Sequence, residues 1–195
     1  MKPEQLDRVD VRRSSLDDTK PKTGEQPYPP QTIHGVRDAL NQLRDVVATL
    51  DSDTYSNDEA STIAGSVGAH VRHCLDHIEP LVNGTTAGII DYDHRERGTA
   101  IETDPAAAVG LIDRICDDLL SLPADINDQP VQVRVMLASD GDTACLRSTI
   151  GRELAFVLSH TIHHAAMIRS IVCALDHELP EGFGLAPSTI AYRNS

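Results

Sequence analysis

Four stretches of the chain place apolar side chains three and four residues apart, the spacing of a helix with one buried face. The first carries Ile33, Val36, Leu40, Leu43, Val47 and Leu50, with Thr32 as N-cap and the polar run Asp51-Ser52-Asp53-Thr54 at its end. The second covers about 61–83 and turns Ile63, Val67, Val71, Cys74, Leu75, Ile78 and Val82 inward. Pro80 is expected to kink or shorten its last turn, and Asn83-Gly84 to stop it. Asp104 caps the third, Pro105 takes its first position, and Val109, Ile112, Ile115, Cys116 and Leu119 form its stripe up to Pro123. The fourth runs from about Thr149 to His177 through Ile150, Leu154, Val157, Thr161, Ala165, Ile168, Val172 and Leu175, with Pro180 and Gly182 as its stop. Four such stripes bury one another most simply as an up-down four-helix bundle, so the expected class is all-α.

One interruption is expected before the last long helix. Val131, Val133, Val135 and Leu137 alternate with polar neighbours, Ser139-Asp140-Gly141-Asp142 reads as a turn, and Ala144–Arg147 returns, which makes a small β-hairpin insertion. Residues 1–30 are polar, mixed in charge and end in Gln26-Pro27-Tyr28-Pro29-Pro30, so they read as a flexible tail. Residues 31–195 then form one domain, in which the apolar segment from Gly182 to Ser188 docks back on the bundle.

Charge and composition narrow the partners. Seventeen Lys and Arg against 30 Asp and Glu give a net charge of −13, which repels nucleic-acid backbones and anionic membranes. Trp is absent and Phe occurs twice, which leaves little for stacking bases. No run approaches the roughly 18 apolar residues of a membrane span, and Met1–Arg8 lacks the apolar centre of a signal peptide. Cys74, Cys116, Cys145 and Cys173 lie far apart without a CxxC pair, as expected of reduced, mostly buried thiols in a cytoplasmic protein.

The nine histidines are unevenly placed: three fall within His70–His77 and three within His160–His164. At about 100° per residue, His160 and His164 leave nearly the same helix face, while His163 points to solvent. His70 borders the arc of Ile63, Val67, Cys74 and Leu81, His77 lies near that edge two turns on, and His73 is further out. An i, i+4 pair plus a third imidazole from a facing helix gives a half-shell for Zn²⁺, Ni²⁺ or Fe²⁺ with positions left for water or substrate. The competing reading is a set of hydrogen-bonded or solvated histidines with no metal. His160-Thr161-Ile162-His163-His164 is not HExxH, since Thr161 replaces the glutamate, and neither an ExxH pair nor a nucleophile elbow or phosphate loop is present.

The segments Gly65-Ser66-Val67-Gly68-Ala69-His70-Val71-Arg72-His73-Cys74-Leu75-Asp76-His77 and Ser159-His160-Thr161-Ile162-His163-His164-Ala165-Ala166 resemble the DinB-like (DinB/YfiT) superfamily, over about residues 32–180. That resemblance implies a four-helix bundle with a divalent metal on His70, His160 and His164; a small rotation would let His73 or His77 replace His70. Members resemble metal-dependent hydrolases, isomerases and thiol-dependent transferases, so the expected protein uses a metal-activated water or thiol on a small molecule, with a low-molecular-weight thiol as a further cofactor. Homodimerisation is a family expectation as well. A non-enzymatic bundle whose metal is structural or absent is the alternative. Glu153, two turns before His160, is a candidate to orient a ligand imidazole or act as base, or else a surface acid favoured by the helix dipole. Arg95 and Arg97, with Tyr92 and Asp93, are candidates to bind a substrate carboxylate or the thiol cofactor, or else form a solvated loop. Cys74 is an extra ligand or simply buried, and Asp76 is expected to pair with Arg72.

Overall fold

Side-chain oxygens of Asp51, Ser66, Asp104 and Thr149 each accept a backbone N–H from the first turn that follows, and each begins a helix. The computed structural model describes residues 30–58, 65–93 and 98–195. Its helices are α1 (Gln31–Val47), α2 (Ser52–Ser56), α3 (Val67–Ala87), α4 (Pro105–Leu120), α5 (Ile150–Ala174) and α6 (Pro187–Arg193), with strands β1 (Ile89–Asp91), β2 (Pro130–Met136) and β3 (Thr143–Thr149). The proline-rich segment before Pro30 lies outside the described residues, as do Ile63 and its neighbours at 59–64.

Asp104 with Pro105 and Thr149 start α4 and α5 where their sequences indicate. Three local expectations need correction. Thr32 is not the N-cap of α1: Pro30 holds that position, and the Thr32 hydroxyl donates to Asn127 Oδ1 at 2.7 Å. α1 ends at Val47, ahead of the polar run, and that run winds into α2, which buries Tyr55 completely. Pro80 sits inside α3 without ending it, and Asn83-Gly84 does not stop it either. Gly84 serves a different need. A Cβ there would come within 2.7 Å of the Ile89 carbonyl oxygen and 2.6 Å of Ile90 Cγ1, so glycine lets β1 lie directly on the helix. Termination falls to Gly88, in the left-handed conformation at φ 72°, whose N–H donates to the Gly84 carbonyl at 2.8 Å.

The expected hairpin is present as β2 and β3, with Val133 opposite Leu146 and Val131 opposite Ser148. A third strand adds to it: β1 runs parallel to β2, with Ile90 opposite Val133. The chain is therefore mostly helical with a small three-stranded sheet, one strand more than the expected hairpin insertion. α1 and α3 each pack on both α4 and α5, and α3 faces α5. Between them lie fully buried Leu40, Leu43, Val71, Ile78, Ile112, Leu119, Leu154 and Ile168. After α5, Phe183 is buried and its carbonyl accepts from Arg169 Nη1 at 3.0 Å. Among the described residues no helix is long and apolar enough to cross a membrane.

Candidate metal centre

α3 carries His70, His73 and His77 at i, i+3 and i+7, so the three rings lie along one face over two turns. α5 meets that face with His160 and His164, one turn apart. The rings interlock: centroids are 4.3 Å apart for His77–His160, 4.9 Å for His73–His160, 4.6 Å for His73–His164 and 4.5 Å for His160–His164. One ring nitrogen from each of His73, His77 and His160 lies within 4.8 Å of the other two, and these residues could hold a metal ion. Two donors on a tetrahedral zinc sit about 3.3 Å apart, a span that modest side-chain rotation would reach. His70 joins through His164, with their Nδ1 atoms 3.0 Å apart. His163 is exposed, as its position on the wheel requires.

Two of the five imidazoles are in the protonation state that a metal requires. Burial, then the neighbouring His77 and His163, lowers the His160 pKa to about 4. Burial, followed by His160, His73, His70 and His163, lowers that of His164 to about 3. Both rings are therefore neutral at physiological pH and offer lone pairs. His77 Nδ1 lies 2.9 Å from the His73 carbonyl oxygen, which can only accept, so the proton sits on Nδ1 and the lone pair on Nε2. Among the described residues, buried His160 Nε2 has no hydrogen-bond partner, an arrangement that a cation would relieve.

These shifts carry a stability prediction for the metal-free chain. An unfolded imidazole takes its proton near pH 6.5, whereas folded His160 and His164 stay neutral down to about 4 and 3. Between those limits the unfolded state binds more protons, so stability falls as pH drops below about 6.5 and is level above it with respect to these groups. Urea unfolding at pH 8, 7, 6 and 5 should show the decline setting in between pH 7 and 6. The H160A/H164A double variant should show a shallower slope.

An aromatic wall closes one end of the cluster. Tyr92 stacks on His77 with centroids 5.4 Å apart and planes 24° apart, and Phe156 stacks on His160 at 5.9 Å and 23°. Glu153 is not a surface acid, being 2% exposed. Its carboxylate accepts from the Tyr92 hydroxyl at 2.8 Å, the Ser148 hydroxyl at 2.5 Å and Arg152 Nη1 at 3.0 Å. It makes no hydrogen bond to an imidazole among the described residues. Cys74 is fully buried and its thiol pushed up to about 12 by burial, the behaviour of a packing residue. Arg72 Nε lies 3.7 Å from Asp76 and Arg72 Nη1 lies 2.6 Å from Glu102. Arg95 and Arg97 lie outside the described residues.

The structure thus places His160 and His164 together, as their spacing requires, and His70 beside His164. It also draws in His73 and His77, which the position relative to the apolar arc puts at the margin. Their i, i+3, i+7 spacing with His70 is the signal that marks all three as one row. Tyr92 and Phe156 carry no comparable signal, because their place depends on the sheet and on the meeting of two helices.

No family model matches the chain. Among curated proteins, FK506-binding protein 5 of Rhizopus delemar is 33% identical over 113 residues, which is 57% of this chain and 29% of that protein. The chain thus spans less than a third of that relative. Among solved structures, a DinB-like protein (YjoA) from Bacillus subtilis superposes with a TM-score of 0.57 at 18% identity, over 77% of this chain and 96% of that one. This likeness establishes the architecture: the chain has the DinB-like fold.

Proposed function

We propose that the chain is a divalent-metal-binding protein of the DinB-like type, an up-down four-helix bundle in which imidazoles of α3 and α5 hold one ion for chemistry on a small molecule. The carrying observation is the convergence of His73, His77 and His160 from two facing helices, all within 4.8 Å. Imidazole donors, with no carboxylate or thiolate among them in the described residues, suit Zn²⁺, Ni²⁺ or Fe²⁺ better than Mg²⁺ or Ca²⁺. Three protein donors leave at least one coordination position for a substrate or water, the pattern of catalytic rather than structural sites. A bound ion there supplies Lewis acidity, bringing ionisation of a coordinated water or thiol near neutral pH, as metal-dependent hydrolysis or thiol transfer requires.

A second ligand set, His70, His160 and His164, is favoured by the 3.0 Å between the Nδ1 atoms of His70 and His164, a spacing compatible with two donors on one cation. Both sets contain His160. Elemental analysis of protein purified without a His tag tests the proposal: about one Zn, Ni or Fe per chain is expected. A metal-free chain that also takes up no stoichiometric ion on titration with Zn²⁺, Ni²⁺ or Fe²⁺ would refute it.

A further inference from the structure

The three-stranded sheet makes no imidazole of its own, yet it touches the cluster through one residue. Tyr92 follows β1 directly, and its N–H extends the ladder to the Arg134 carbonyl on β2. Its ring lies on His77, while its hydroxyl points away to Glu153. Ser148, near the end of β3, donates to the other carboxylate oxygen. Glu153 lies in the opening turn of α5, two turns ahead of His160. A carboxylate 2% exposed would be costly to bury unless its oxygens were satisfied, and here three donors satisfy them.

Resting on the metal-binding reading above, we propose that Tyr92 is a positioning residue of the metal centre: anchored by Glu153, its ring fixes the plane of His77 and so the direction of that residue's Nε2. The His73 carbonyl restrains the Nδ1 side of His77. The stacked Tyr92 ring holds one face of His77, and Phe156, with its centroid 6.2 Å from His77 and 5.5 Å from Tyr92, braces the stack from α5. Glu153 acts through Tyr92 rather than on an imidazole. The sheet therefore has a task in the site, which is to deliver Tyr92 and Ser148 to opposite oxygens of one buried carboxylate.

Residues that orient a metal ligand from outside the coordination shell are commonly worth 10–100-fold in metal affinity. Co²⁺ titrated into the metal-free full chain reports both affinity and ligand geometry through its visible spectrum. Tyr92→Leu, which keeps an apolar side chain but removes ring and hydroxyl, is expected to weaken Co²⁺ binding by about 10–100-fold and to shift the spectrum. Tyr92→Phe, which keeps the ring but loses the anchor, should fall between wild type and that variant. Glu153→Gln retains an oxygen that accepts from Tyr92 and should keep near-wild-type affinity and spectrum. Leu119→Ala in α4 should lower Tm while leaving the Co²⁺ constant and spectrum unchanged, which separates positioning from general destabilisation. If Tyr92→Leu and Tyr92→Phe both bind Co²⁺ with the wild-type constant and spectrum, this inference is overturned while the metal-binding reading stands. If the wild-type chain takes up no cobalt, both fall together.

Discussion

His160→Ala should cost the chain its stoichiometric divalent ion, weakening binding by more than the roughly 100-fold upper range of outer-shell substitutions. The expectation follows from position rather than from residue type. His160 belongs to both triads, its ring centroid lies within 4.9 Å of those of His73, His77 and His164, and its buried Nε2 has no hydrogen-bond partner among the described residues. Calorimetric titration of Zn²⁺ into the tag-free variant measures the effect. The fold should survive, because the ring is half-buried at the margin of the apolar core and its removal relieves a desolvated group. His163→Ala, one turn further on and exposed, should leave the constant unchanged and serves as the matched control.

The second large effect separates the two triads. If His73 and His77 are the partners of His160, then His73→Ala and His77→Ala should each weaken Zn²⁺ binding by more than about 100-fold, whereas His70→Ala and His164→Ala should cost less, about 10–100-fold, as outer neighbours. The reverse ranking would assign the ion to His70, His160 and His164. Equal and large losses at four or five positions would mean that the imidazoles close the shell around the ion. That result would favour a structural ion over chemistry on a small molecule, since a closed shell leaves no position for substrate. The four single variants, titrated under one set of conditions, therefore distinguish ligand identity and role together.

The parts of this molecule that were legible in sequence are those set by neighbours along the chain. Asp104-Pro105 and Thr149 start their helices because a cap acts within one turn, and the His160–His164 pair shares a face because the helix repeat demands it. Parts set by distant neighbours were not. β1 is three residues long, too short for an alternation pattern, and exists through parallel pairing with β2 some 40 residues away. Gly84 reads as a helix stop until Ile89 and Ile90 are seen lying on it. Glu153 reads equally as a site residue or a surface acid, because the groups that allow its burial come from Tyr92 and Ser148, outside its helix. Which α3 histidine meets His160 depends on the rotation of α3 about its axis, a quantity fixed by packing against α4 and α5 and not by local spacing.

The most direct test of convergence is a crystal of the tag-free chain soaked in Zn²⁺ and measured on both sides of the zinc absorption edge. A single strong anomalous peak between α3 and α5, about 2.0–2.1 Å from His160 and from two further histidine nitrogens, is the expected result. A difference map with no peak among His70, His73, His77, His160 and His164, from crystals that bind zinc elsewhere or not at all, would contradict it.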